Sequence, residues 1–310
     1  MKSIKLKLSL IANVIAIICL IVLSIISFIF TKKALNHELI SAETNYVKTA
    51  ENAMKSFQDL NIRTLRKLAK DTLEFSYNEL NTQDKLMSNV GPRLKSFRDA
   101  GNYLAVYIAQ PNGELIISDP DSDSKGLDFG TYGRADGYDA RTREFYIEAM
   151  KKNDLYITNS YIDTATGQPC FTYAIPLNKD GKFIGILAID VLTEDLQNEF
   201  NHLPGRTFVF DKSNTVFVST DKTLITKEKN PDIDIIASKF NQVGNYNVFE
   251  YTTKKGHENF GLCTKVNEYT VCAGESVEVT QAPALKIAYI QIAIVIFTSI
   301  FSILLLYFIV

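Results

Sequence analysis

Residues 8–30 and 287–310 carry no charged side chain and are dominated by Leu, Ile, Val and Phe. Each run is long enough to cross about 30 Å of hydrocarbon as a helix, and a soluble core helix seldom stays apolar on every face for so long. The pattern predicts two transmembrane helices, 8–30 and 285–310, bracketing a large region of mixed polarity. A cleaved signal peptide is the alternative for the first, but its apolar run exceeds a usual signal core, and Thr31-Lys32-Lys33-Ala34 offers no small-x-small cleavage site. Lys2, Lys5, Lys7 and the amino terminus outweigh Lys32 and Lys33, which places residues 1–7 in the cytoplasm and, after two crossings, returns the C-terminus there.

After the first span, Leu35, Leu39, Ala42, Tyr46, Ala50, Ala53, Phe57, Leu60, Thr64 and Leu68 recur in steps of three and four, a helical stripe. With no Pro or Gly before about Leu80, the expected stalk covers 31–80. Its stripe can pair with a second copy in a homodimer or cover a sheet of the same chain. Beyond Tyr103 the period becomes strand-like. Segments 102–108 and 114–118, joined by Pro111-Asn112-Gly113, read as a hairpin, followed by strands at 168–177 and 183–192. A second set lies at 246–253 and 258–273. Aligning Ser118 with Ser219 brings Tyr107 onto Phe208, Gln110 onto Asp211 and Gly113 onto Asn214, the last being another residue that tolerates a left-handed turn. The expected fold class is α+β: a helical stem carrying two stacked modules with antiparallel sheets, 81–200 and 201–284.

Composition narrows the function. The 310 residues hold 33 basic and 35 acidic side chains, a near-balance that argues against nucleic acid as a partner. His37, His202 and His257 are scattered, no Cys or His cluster has metal spacing, and no glycine-rich phosphate loop occurs, so no metal, cofactor or catalytic constellation is expected. Of four cysteines, Cys19 lies in the first span and Cys170 stands alone in sequence. Cys263 and Cys272 flank the two-residue loop Asn267-Glu268, which would set them opposite each other on a non-hydrogen-bonded pair. An oxidising compartment would favour a disulfide there, two reduced half-buried thiols being the alternative.

Aromatic, cationic and acidic residues interleave from Tyr132 to Asp190. Tyr138, Arg143, Phe145 and Tyr146 fall in one short segment, Tyr161 and Asp163 precede the turn Ala165-Thr166-Gly167, and Asp190 closes an apolar strand where a carboxylate needs a partner or water. The plain alternative is that Asp190 caps a helix starting near Thr193 and Arg143 pairs with Asp139. The functional alternative is a zwitterion site: a guanidinium for a carboxylate, carboxylates for an ammonium group, and aromatic walls between them.

These features together resemble the double Cache ligand-binding region of bacterial methyl-accepting chemotaxis receptors and related transmembrane sensors, over the whole ectodomain and both spans. The resemblance implies a stalk helix followed by a membrane-distal and a membrane-proximal module, each similar to a PAS domain, with the ligand in the distal one. The amino-acid-binding branch has a tyrosine, four residues, an arginine, one residue, then tryptophan and tyrosine, with a later tyrosine and a distant aspartate. Here Tyr138, Arg143, Phe145, Tyr146, Tyr161 and Asp190 match, with Asp163 a further candidate. The resemblance assigns the ligand carboxylate to Arg143 and position 145, supported by Tyr146, and the ammonium group to Tyr138, Tyr161, Asp163 and Asp190. Phe145 departs from the pattern, because a phenyl ring cannot donate the hydrogen bond of an indole, a loss of about 1 to 3 kcal/mol if nothing replaces it. An amino acid is the expected ligand, and a lactate-like carboxylate the alternative.

The expected role is therefore periplasmic sensing from the bacterial inner membrane. A histidine kinase or cyclase sensor region is the alternative, and a membrane-tethered periplasmic enzyme is disfavoured by the missing catalytic cluster. Val310 stands at or near the end of the second span, so the signalling output is expected in a longer product or a partner.

Overall fold

The computed structural model describes residues 2–225 and 230–309, and side chains within 10–225 and 230–304. The side chains of Lys2, Lys5 and Lys7, which argue for orientation, lie outside the described residues.

The first apolar run and the stalk form one unbroken helix, α1 (Lys2–Thr72), about 105 Å long at 1.5 Å per residue. It stops at Thr72 rather than near Leu80. Two cations from the following module meet carbonyls at its end: Arg93 Nη1 donates to Asp71 O at 2.9 Å and Lys179 Nζ to Leu73 O, just past the last turn, at 2.7 Å. Positive charge there is also favoured by the helix dipole, so the chain turns where these partners meet it.

Short helices α2 (Tyr77–Leu80), α3 (Gln83–Asn89) and α4 (Gly91–Gly101) lead to the hairpin β1 (Ala105–Ala109) and β2 (Leu115–Ser118). Next come α5 (Pro120–Ser124), β3 (Gly130–Tyr132), α6 (Glu144–Lys152), β4 (Tyr156–Ile157), β5 (Tyr161–Ile162), β6 (Pro169–Lys179) and β7 (Lys182–Leu192). The sheet order is β3-β2-β1-β7-β6-β4, with β5 also on β6. The second module follows as α7 (Thr193–Phe200), β8 (Thr207–Phe210), β9 (Val216–Ser219), α8 (Pro231–Val243), β10 (Phe249–Thr252), β11 (Glu258–Val266) and β12 (Tyr269–Ser276). Its order, β10-β11-β12-β8-β9, repeats the strand sequence β4-β6-β7-β1-β2 of the first.

The repeat read from the hairpins is thus a repeat of topology. Gly113 and Asn214 both take left-handed φ, +91° and +60°. Each donates its N–H back to the equivalent residue, Gly113 to Gln110 O and Asn214 to Asp211 O, both at 2.9 Å. Glycine and asparagine are the residues for which this conformation costs least.

Alternation along the strands gives each sheet two faces. One face of both sheets packs on α1: Ala50, Met54, Leu65, Leu68 and Ala69 share a core with Val106, Ile108, Phe171, Tyr173, Leu187 and Ile189 of the first sheet and Val209, Val218, Tyr269 and Val271 of the second. Phe171 joins the modules, its ring lying 6.0 Å from Phe217 and 6.4 Å from Tyr269. Val47, closer to the apolar end of α1, packs with Leu262 and Ala273, so the second module lies nearer that end. The chain leaves through α9 (Val277–Ile309), which returns alongside α1; Gln291 Nε2 donates to Ser27 Oγ and Ser302 Oγ to Asn13 Oδ1, both at 2.8 Å. Both terminal helices are long and apolar enough to cross a membrane by length and composition.

Candidate ligand-binding site

The site lies on the face of the first sheet turned away from α1. That face is made largely of alanine: Ala105, Ala109, Ala174 and Ala188, beside Tyr107 and Ile186. These small side chains let α6 pack close over the strands with Phe145 and Ala149. A 3-10 turn at Ala140–Thr142 sets the chain direction before α6, with Arg143 as the extended residue between them.

Asp190 sits mid-sheet, opposite Ala105 on β1 and Thr172 on β6, and is 6% exposed. Its Oδ1 accepts from Thr172 Oγ1 at 2.6 Å, Tyr107 Oη at 3.0 Å and Tyr161 Oη at 3.4 Å. All three donors are neutral hydroxyls. Burial therefore dominates, and the carboxyl is pushed up to about 7 despite the hydroxyls that favour the anion. The helix-capping reading does not hold, since α7 begins after Leu192 without a side-chain cap.

The pairing of Arg143 with Asp139 does not occur either. Asp139 is claimed by Arg141, which grips it through Nε at 2.9 Å and Nη2 at 2.6 Å. Among the described residues Arg143 makes no ion pair. Its guanidinium lies 5.7 Å from the Tyr138 ring centre and 5.9 Å from that of Tyr161. Burial pushes the Tyr138 hydroxyl up to about 12, with the Arg143 charge opposing and the Asp190 charge reinforcing the rise. Tyr161 bonds Thr172 Oγ1 at 2.8 Å, and its hydroxyl is raised further, first by burial and then by Asp190. An unmatched cation and an unmatched buried carboxyl thus share one aromatic enclosure. Its chemical complement is a small molecule bearing both charges.

The remaining predicted residues are placed differently. Phe145, 4% exposed, presents its ring to the edge of Tyr107 at 5.4 Å and 74°, holding that hydroxyl donor from behind. Tyr146 turns its ring to Phe183, and after burial its hydroxyl is influenced by Arg141 and Asp139, not by the Asp190 group. Asp163 is folded into its own turn, where Oδ2 accepts from Ala165 N, Thr166 N and Thr166 Oγ1 at 3.1, 2.7 and 2.8 Å. Its charge still helps raise Asp190.

The sequence did not assign Tyr107, Thr172 or Cys170 to this site. Tyr107 and Thr172 reach Asp190 only through strand register. Cys170 faces Tyr161 across β5 and β6, and burial, then Asp190, pushes its thiol up to about 12. The one available signal was Tyr107 itself, a polar-tipped residue in an otherwise apolar strand.

Two antiparallel modules of one strand order thus share a stalk, and the first holds the polar group around Asp190. Residues 30–284 match the Cache domain family model, and the chain belongs to that family. The ligand-binding domain of the Campylobacter jejuni chemoreceptor Tlp3 in complex with L-norvaline is 34% identical; the match covers 82% of this chain and 97% of that one, with TM-score 0.70. The sensory domain of that receptor with isoleucine bound is 33% identical over 81% and 98%, with TM-score 0.69. The ligand-binding domain of the Pseudomonas fluorescens chemoreceptor CtaA with L-serine, 17% identical over 78% and 98% with TM-score 0.57, shares the fold. These are sensory domains, not enzymes. Two curated relatives match in part: methyl-accepting chemotaxis protein McpG of Pseudomonas putida, 26% identical over 130 residues (41% of this chain), and citrate (Re)-synthase of Syntrophus aciditrophicus, 28% identical over 102 residues (33% of this chain). The matches span only 16% of the synthase and 19% of McpG.

Proposed function

We propose that this chain is the sensing part of a membrane-spanning chemoreceptor, with both modules in the periplasm, and that it binds a free amino acid with a short aliphatic side chain. Arg143 receives the α-carboxylate. Asp190, with Tyr107, Tyr161 and Thr172 around it, receives the α-ammonium. Tyr138 and Tyr161 form the walls, and the alanine face takes the aliphatic side chain. The observation that carries this reading is a pairing of absences among the described residues: Asp190 is buried among hydroxyls with no cation bonded to it, while Arg143 has no carboxylate partner. The complexes of Tlp3 with L-norvaline and L-valine support an aliphatic ligand.

Phe145 supports Tyr107 in this arrangement and leaves the carboxylate to Arg143. The ligand's closure of the first module would shift α1 relative to α9, biasing two signalling states across the inner membrane, with two copies joined along the stalk and the output inside the cell. A carboxylate lacking the ammonium group would leave Asp190 unmatched. Thermal denaturation of the purified chain with isoleucine, valine and lactate separates the ligands. Isoleucine and valine are expected to raise Tm and lactate to leave it unchanged; a shift by lactate alone would transfer the site to hydroxy acids.

A further inference from the structure

A second enclosure lies far from the alanine face, where the stalk, the second module and the start of α9 converge. It is a groove of about 860 Å³ between Leu35, Leu39, Ala42 and Tyr46 of α1, Leu203 and Gly205 of the second module, and Val279 and Pro283 of α9. Apolar walls are joined there by four carboxylates, Glu38, Glu43, Asp221 and Glu275, and by one cation, Arg206. Arg206 is already committed, its Nε donating to Asp221 at 3.0 Å. The charge left over is negative.

Glu43 decides what the groove can hold. It is 4% exposed, and its Oε2 is fully enclosed with no hydrogen-bond partner. A carboxylate oxygen so buried costs free energy unless a donor reaches it. Burial and then the neighbouring Glu275 charge push its carboxyl up to about 7. Among the described residues no His, Cys, Asp and Glu cluster could hold a metal ion, and Leu35, Leu39 and Leu203 give the groove apolar wall beside its carboxylates. A donor that also covers the leucine walls must carry an apolar chain.

We propose that this groove binds a primary ammonium group carried on an aliphatic chain, with Glu43 and Glu275 taking the charge and the leucine-lined walls taking the chain. Such an ammonium could be a soluble alkylamine or the headgroup of an ethanolamine lipid, since the groove lies beside both apolar helices. Bound there, it would tie α1 to the β12–α9 junction, independently of Asp190.

The test is calorimetric titration of n-pentylammonium into the full chain in detergent. Binding is expected at pH 8, with affinity rising ~3-fold per methylene from propyl to pentyl. Glu43→Gln should weaken it at least tenfold, and Asp190→Asn should leave it unchanged. Should Glu43→Gln fail to fold, Glu275→Gln and the pH profile of the natural chain serve instead. The amine stays protonated from pH 5.5 to 8, whereas protonation of Glu43, which faces Glu275, Glu38 and the Asp221–Arg206 pair, should weaken binding several-fold at the acid end. Repeating the titration in phosphatidylcholine nanodiscs, with and without phosphatidylethanolamine, identifies the source: competition marks the lipid, and its absence marks the soluble amine. No binding at pH 8, or binding unchanged in Glu43→Gln and flat with pH, would overturn the proposal, leaving Glu43 as a carboxyl held protonated by burial.

Discussion

The two modules share one strand order and differ in what fills the face turned away from α1. Register makes the comparison residue by residue. In the first sheet Tyr107 faces Ala188, Ala188 faces Ala174, and Asp190 faces Thr172. In the second, Phe208 faces Cys272, Cys272 faces Cys263, and Gly274 faces Gly261. A tyrosine has become a phenylalanine, an alanine pair a disulfide, and the Asp–Thr pair two glycines. The second face is filled by Phe208, Phe210, Phe249, Tyr251 and the Cys263–Cys272 bridge, whose Cα atoms are 4.1 Å apart. One scaffold thus stores stability in one module and, in the other, gives some up to an enclosure of unmatched charge.

The largest expected effect breaks that contrast at Asp190. Asp190→Asn keeps the shape and removes the charge, so amino-acid affinity should fall at least ~100-fold in calorimetry. The ligand-free protein should become more stable. A folded carboxyl near 7, against 3.8 in the unfolded chain, binds its proton more tightly when folded, so this group's contribution to stability is present below pH 4 and lost as pH rises through 7. The loss is up to about 4 kcal/mol. Denaturant melts of the natural chain and Asp190→Asn at pH 5 and pH 8 should therefore diverge as pH rises. Arg143→Ala should come next, weakening the amino acid ~10- to 100-fold with little change in stability, because Arg143 holds ring contacts and, among the described residues, no ion pair.

The second module answers in the opposite currency. Replacing both Cys263 and Cys272 with alanine should cost about 2 to 3 kcal/mol in denaturant melts and leave the amino-acid Kd unchanged. Changed ligand affinity would mean that the two faces are coupled. The smallest effect is expected from Phe145→Leu, which removes the edge contact behind Tyr107 and should weaken the ligand by about 1 kcal/mol.

The contrast between the modules was only half legible in the sequence. Apolar runs, the helical stripe and turn residues such as Gly113 and Asn214 carry local signals, so both terminal helices, the stalk and the duplicated hairpins could be read directly. The stalk's end could not, because Arg93 and Lys179, which meet the carbonyls of Asp71 and Leu73 there, are distant in sequence. Tyr138, Arg143 and Tyr161 could be picked out, and the structure gathers them with Asp190. Tyr107 and Thr172 could not, since which strand residues flank Asp190 depends on pairing across β1, β7 and β6. Tyr146 and Asp163 share the motif spacing, yet one turns toward Phe183 and the other into its own turn.

The most direct test counts protons. If an ammonium group is received by Asp190, binding at pH 6 must expel the proton that burial holds there, because the bound cation favours the anion. Isothermal titration of isoleucine at pH 6, in buffers of different ionisation enthalpy, should show release of close to one proton per ligand, declining toward zero at pH 8.5. Binding without proton release at pH 6, with Asp190→Asn equally tight, would contradict the account.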